Sequence, residues 1–252
     1  MSETRSVVIT GAGSGIGRAC VERFLEDGYH VVAMGRHMET PDETEGVLTP
    51  RSGQLTKVAA DVRDRTALDN AFKEVGPIHA LVANAGVCSR TWLRDDESDA
   101  AWNEIIDINV NGVWHTFRAA WPHLVRDAAA VIVSSGLGKL GRPGYAAYAA
   151  SKHAVLGMVK CFAPELAPNG IRVNAVCPGW VDTEMAKRDL QITAKEQATT
   201  PDEVRGRTVA NIPLRRFVSP AEVAGLIRFL TSSGASAITG QSYNISCGEL
   251  TV

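Results

Sequence analysis

Ser6-Val7-Val8-Ile9-Thr10-Gly11-Ala12-Gly13-Ser14-Gly15-Ile16-Gly17 is the stretch that decides the fold. Ser6 to Thr10 is a β-branched run of strand length. Four glycines follow within seven residues, and Ile16 to Asp27 then takes up helical spacing. A strand that turns straight into a helix over glycines lets the backbone approach a ligand closely, because no Cβ intervenes. The helix start adds free amides and the positive end of its dipole, which suits a pyrophosphate. Glycines alone also serve a tighter strand-to-helix turn. The spacing is TGxxxGxG, since Ile16 stands where GxGxxG would place its third glycine.

The same alternation continues down the chain. Strands are expected at His30–Met34, Leu55–Ala60, Ile78–Ala83, Ala130–Ser134, Ile171–Val176 and Ala237–Ile245. Helices are expected from Asp64, as N-cap, to Val75, and over Trp102–Val125, Ala146–Ala163 and Ser219–Leu230, with Pro220 at the first position of the last. Pro164 is expected to end or kink the third of these. Near-continuous apolar strands joined by helices predict a parallel sheet covered on both faces, an α/β doubly wound fold. Its ligands bind at the carboxyl ends of the strands. Three segments read as irregular: the acidic Arg36–Gly53, the polar Val87–Asp99 and the charged Asp182–Pro213.

Length and composition agree with a single domain. The chain has 252 residues, 45% hydrophobic and 21% charged, with a net charge of −2. No basic excess exists to neutralise phosphates, so nucleic acid is not an expected partner. No apolar run reaches the roughly 20 residues of a membrane span, so no membrane partner is expected either. The five cysteines, Cys20, Cys88, Cys161, Cys177 and Cys247, are odd in number and lack CxxC spacing. Neither a disulfide framework nor a metal site is expected, and a cytoplasmic location fits free thiols.

Tyr148 and Lys152 stand four residues apart in Tyr148-Ala149-Ala150-Ser151-Lys152, on one helix face. A nearby ammonium favours phenolate, so Lys152 is expected to lower the pKa of Tyr148 toward working pH. Ser135 lies at the end of the fifth strand, with Ser134 as its rival, and Asn109 lies in Ile106–Gly112, with Asn111 as its rival.

With these motifs in this order the chain resembles the short-chain dehydrogenase/reductases over essentially its whole length, and in particular their ketoreductase and acyl-thioester reductase members. The resemblance implies a Rossmann-like fold and hydride transfer between a nicotinamide and a ketone, or 3-oxoacyl group, and a secondary alcohol. It implies catalytic roles for Asn109, Ser135, Tyr148 and Lys152. Tyr148 would act as general acid/base, Ser135 would bind the substrate oxygen, and Lys152 would tune Tyr148 and hold the nicotinamide ribose. Asn109 would hold a water that links Lys152 to solvent. The cofactor would meet Gly11, Ser14, Gly15, Ile16 and Gly17, then Asp61 and Val62 at the adenine. It would also meet Asn84, Ala85 and Gly86, then Pro178, Gly179, Val181 and Thr183 around the nicotinamide. Leu137, Tyr145 and Trp180 flank these motifs and are candidates for an apolar substrate pocket beside Ser135.

Arg36 follows Gly35 where NAD enzymes place an acidic residue, so NADP is favoured over NAD. If Arg36 only stacks on adenine, the alternative is an NAD-linked alcohol dehydrogenase. A nucleotide-binding sensor without turnover is the other class considered, and the complete Ser135/Tyr148/Lys152 set argues against it. The resemblance further implies a homotetramer through the helices Trp102–Val125 and Ala146–Ala163 and the last strands. Trp114, Phe117 and Trp121 supply more apolar surface than one sheet face needs. Residues 182–213 are expected to form a mobile substrate lid.

Overall fold

Strand β1 (Ser6–Thr10) is buried at every residue and sits in the middle of the sheet. The computed structural model describes residues 4–36 and 54–251. Most of the acidic segment Arg36–Gly53 lies outside the described residues. Around β1 run β2 (His30–Gly35), β3 (Gln54–Ala59), β4 (Ile78–Ala83), β5 (Leu124–Val133), β6 (Arg172–Pro178) and β7 (Ser242–Ile245). Every pairing is parallel and the order is β3-β2-β1-β4-β5-β6-β7. The chain winds outward from β1 in one direction and resumes at β4 in the other. The crevice at this reversal opens at the carboxyl ends of β1 and β4, where a doubly wound sheet binds its ligand.

Helices cover both faces. On one, α2 (Arg65–Lys73), α4 (Gly112–Ala120) and α5 (Ala146–Leu166) bury Leu68, Phe72, Phe117, Val155, Val159 and Phe162. On the other, α1 (Gly15–Glu26) and α8 (Pro220–Leu230) bury Val21, Phe24, Leu25, Val223, Ile227 and Leu230. The expected caps form. Asp64 accepts from the Ala67 N–H, and Ser219 and Glu222 make a reciprocal capping box.

Five expectations are corrected. Trp102–Val125 is not one helix: α3 (Ser98–Ile106) passes through a π-turn at Asp107–Asn111 into α4, and Trp121–His123 is a 3-10 turn. Pro122 lacks the N–H that would continue the helix, so the chain extends and β5 begins at Leu124, six residues earlier than Ala130. Helix α5 runs through Pro164 to Leu166, because only its final turn forgoes a hydrogen bond. The last strand starts at Ser242 rather than Ala237, since Gly240 has a φ of 73° and the Ile238 carbonyl is committed to Arg172 and Asn174. Residues 182–213 form two helices, α6 (Glu184–Glu196) and α7 (Pro201–Ala210). Thr183 caps the first and a Thr200/Glu203 capping box starts the second. Most of their charges face outward, Asp189 instead turning onto Arg90, while Leu190, Ala194, Val204, Ile212 and Phe217 close a small core of their own.

Candidate active site

The glycine turn closes against β4. The Asn84 amide donates to the Thr10 and Gly11 carbonyls at 3.0 Å each, and the Asn84 and Ala85 N–H groups donate to Thr10 Oγ1. Gly11 has a φ of 65°, and a Cβ on Gly17 would fall far inside contact distance of the Gly11 carbonyl oxygen. Only glycine tolerates both demands. Ser14 is the N-cap of α1 yet makes no side-chain cap bond, which leaves the first-turn amides for an anion.

A cleft of about 740 Å³ runs along the carboxyl edge of the sheet. Its lining includes Gly11, Ser14, Gly15 and Ile16, then Arg36, Asp61 and Val62, then Asn84, Ala85 and Gly86. Pro178, Gly179, Val181 and Thr183 line it further along, as do Ser135, Leu137, Tyr145, Tyr148, Lys152 and Trp180. Two expected site residues do not line it. Gly17 is buried behind the turn and permits close packing there. Asn109 is fully buried, and its side chain accepts from the Val87 N–H at 2.8 Å and donates to the Val87 carbonyl at 2.9 Å and to Ser151 Oγ at 3.1 Å. It braces the loop that follows β4, from a π-turn of the kind that re-aims side chains at functional sites. Its rival Asn111 is exposed, and its amide donates to Asp107 Oδ1 at 2.9 Å.

The two serines also differ in geometry. Both line the cleft, but Ser134 is buried and donates its hydroxyl to the Lys152 carbonyl at 2.9 Å, while Ser135 is only partly buried. Lys152 is 4% exposed, and its ammonium donates to the Val133 carbonyl at 2.9 Å. It stands 5.6 Å from the centroid of the Tyr148 ring. Burial draws the Lys152 pKa down to about 8. The expected lowering of Tyr148 is not found. Burial pushes its phenol above the ordinary tyrosine range, and the Ser135 hydroxyl opposes this only in part.

These features fit a dinucleotide. The glycine cradle would be filled by a Cβ, the α1 amides are uncapped, and the cleft spans from Arg36 to Thr183. A Cβ on Gly86 would stand 3.3 Å from both Asn109 Oδ1 and Lys152 Nζ, tighter than an ordinary contact, so a side chain there would press on both groups.

A family model described as enoyl-(acyl carrier protein) reductase matches residues 11–249. The chain is 39% identical to a Streptomyces virginiae protein named as a ketoacyl reductase of the monensin polyketide synthase, over 99% of this chain and 98% of that one. It is 37% identical to the 3-oxoacyl-[acyl-carrier-protein] reductase of Thermotoga maritima, over 98% of each. The solved structure of a short-chain dehydrogenase/reductase from Brucella melitensis, titled a glucose/ribitol dehydrogenase, superposes with a TM-score of 0.86 at 31% identity, covering 99% and 98% of the two chains. The chain belongs to the short-chain dehydrogenase/reductase family.

This short-chain dehydrogenase/reductase is an oxidoreductase, and its family and relatives imply a nicotinamide cofactor and a small-molecule substrate. Among the described residues no helix is long and apolar enough to cross a membrane, and no cluster of side chains is arranged to hold a metal ion. All five cysteines are free thiols. The structure also brings to the cleft residues that sequence reasoning missed: Cys88, Leu140, Arg142, Met185, Asp189, Glu249 and Leu250. Cys88 is pushed up to about 12 by burial, so its thiol stays protonated. None of these carried a local signal as a site residue, because they come from separate loops, from α6 and from the end of the chain.

Arg90 ties those loops together. Its guanidinium pairs with Asp189 at 2.7 Å and Glu196 at 3.2 Å, donates to Thr193 Oγ1 at 2.6 Å, and stacks 4.2 Å from the Tyr145 ring centroid. The Tyr145 hydroxyl donates to Asp189 at 2.8 Å. Helix α6 is thereby clamped to the start of α5.

Proposed function

We propose that this chain interconverts a ketone, or the ketone of a 3-oxoacyl group, and a secondary alcohol, with Tyr148 as general acid/base. The observation that carries this reading is the convergence of the Tyr148 phenol and the Ser135 hydroxyl in the cleft, with the buried Lys152 ammonium beside the ring. Bound nicotinamide supplies the hydride in reduction and accepts it in oxidation. In reduction, Tyr148 gives its proton to the carbonyl oxygen as charge develops there. Ser135 donates a hydrogen bond to the same oxygen and so stabilises that charge. Lys152 is held in place by the Val133 carbonyl, and its positive charge favours the phenolate left on Tyr148. Asn109 keeps the loop after β4 in register with these groups through Val87 and Ser151.

NADP is the cofactor favoured by Arg36, an exposed guanidinium at the rim of the cleft. Helices α6 and α7 are proposed as a substrate lid, resting closed through the Arg90 clamp and gaining order with ligand. Slower hydrogen exchange over 185–210 on ligand binding is expected, and equal strong protection without ligand would remove the lid. A homotetramer is proposed, since Trp102, Trp114 and Trp121 are each more than two-fifths exposed on or beside α3 and α4. Free thiols support a cytoplasmic location.

The test is Tyr148→Phe. It removes the proton and keeps the ring, and kcat is expected to fall by about 10² or more. Cofactor affinity is expected to hold, because the glycine turn is untouched. Near-normal turnover would refute the role of Tyr148.

A further inference from the structure

The proposed carbonyl chemistry leaves two cations of the cleft, Arg142 and Arg188, without a task. The lining of the cleft includes Leu137, Leu140, Arg142, Trp180, Met185 and Leu250. The Arg142 guanidinium carbon stands 5.4 Å from the centroid of the Trp180 ring and 5.7 Å from that of Tyr145. Both rings are themselves held. Trp180 stacks on Phe217 at 5.3 Å, and the Tyr145 hydroxyl is fixed on Asp189 at 2.8 Å. Aromatic faces attract a guanidinium without spending its N–H donors.

Charge bookkeeping around Arg142 points the same way. The Asp189 carboxylate is taken by Arg90 and Tyr145, and Glu184 by Lys187 at 2.7 Å. Glu249 accepts the Trp180 N–H at 3.4 Å, and burial holds its carboxyl above the usual range. Arg188 also lines the cleft. Among the described residues neither Arg142 nor Arg188 has a carboxylate within 4.0 Å. Arg142 and Arg188 thus bring to the cleft two positive charges that no carboxylate pairs directly, with the Arg142 charge acting on Asp189 and Glu249 from beyond contact distance.

We propose that Arg142 binds an anionic oxygen group, a carboxylate or a phosphate, carried by the substrate at a distance from its reacting carbonyl. This rests on the carbonyl–alcohol reading of the same site. A planar guanidinium matches either anion with two parallel hydrogen bonds. Arg142 lies on the short segment between Ser135 and Tyr148, whose turns are fixed by Gly138 N–H to the Ser135 carbonyl at 2.9 Å and Tyr145 N–H to the Arg142 carbonyl at 3.2 Å. One stiff stretch of chain thus carries both the anion subsite and the reacting groups, and sets the spacing between them. The preferred substrates are accordingly oxo acids or phosphorylated carbonyl compounds rather than neutral ketones.

The experiment uses two matched pairs with the cofactor-saturated enzyme: acetoacetate against its ethyl ester, and acetoacetyl pantetheine 4′-phosphate thioester against the dephosphorylated thioester. The charged member of at least one pair is expected to have the higher kcat/KM, and which pair shows it tells carboxylate from phosphate. Arg142→Ala is expected to lower kcat/KM for that member about tenfold more than for its neutral partner, with Arg142→Lys intermediate. No preference in either pair, or equal losses for both members, would overturn the proposal. A calorimetric titration of butyrate and of inorganic phosphate into cofactor-loaded Tyr148→Phe protein gives a readout without turnover. Binding of one anion that disappears on adding Arg142→Ala supports the subsite, and equal or absent binding overturns it. Normal turnover by Tyr148→Phe would instead strike the acid/base reading and leave the anion result standing.

Discussion

Replacing Arg90 by alanine tests the clamp between α6 and the start of α5. The Arg90 and Asp189 side chains are 13% and 16% exposed, so the pair is largely withdrawn from water. Removing one partner of a buried pair costs about 3–5 kcal/mol, because the other charge is left uncompensated. Tyr145 continues to donate to Asp189, and part of the carboxylate meets water, which places the loss at the low end, about 3 kcal/mol. Lost stacking on the Tyr145 ring adds about 1 kcal/mol. The loss depends on pH in a definite sense. Burial already holds the Asp189 carboxyl above its ordinary 3.8, and the Arg90 charge is the main opposing influence. Without Arg90 the folded-state pKa rises further. A carboxyl that binds its proton more tightly when folded lends stability below its unfolded pKa, and that stability falls as pH rises through the folded pKa. The deficit of Arg90→Ala is therefore expected to be full near pH 8 and to shrink as pH is lowered toward the unfolded value. Urea unfolding at fixed protein concentration, at pH 8 and at pH 5, measures both. An equal deficit at the two pH values, or one below about 1 kcal/mol at pH 8, would refute the reasoning.

Arg36→Ala is expected to raise KM for NADP and leave NAD nearly unchanged, with a loss of about 1.5–3 kcal/mol of binding. A wild-type enzyme that already prefers NAD tenfold by kcat/KM would contradict the assignment. Gly17→Ala drives a methyl into the Gly11 carbonyl, so cofactor affinity measured by fluorescence titration is expected to collapse together with thermal stability, although Gly17 does not line the cleft. Light scattering at micromolar concentration is expected to show a tetramer, and Trp114→Glu to break it while the folded monomer survives, since Trp114 is 47% exposed. A monomeric wild type would refute the assembly.

Much of the fold was legible because its signals are local. A β-branched run, glycines that free the backbone, and capping residues such as Asp64 and Ser219 act within a few residues of one another. The spacing of Tyr148 and Lys152 is likewise a property of one helix turn. The misses came where distant contacts override local preference. The helices of 182–213 carry few apolar residues, and they hold through a small core shared with Ile212 and Phe217 and through the pairing of Arg90 with Asp189. The end of the long helix was decided locally by Pro122, a breaker that the apolar periodicity around it concealed. What tertiary structure alone decided was burial. The sequence placed an ammonium near a phenol and implied a lowered pKa, but packing withdraws Tyr148 from water, and that desolvation outweighs its neighbours. The sequence offered Asn109 as a site residue, and packing spends its amide on Val87 and Ser151. Arg142 carried no signal in its own neighbourhood. Its position between Trp180 and Tyr145 exists only because two strand-end loops converge, and convergence of loops is a property of the sheet rather than of any stretch of chain.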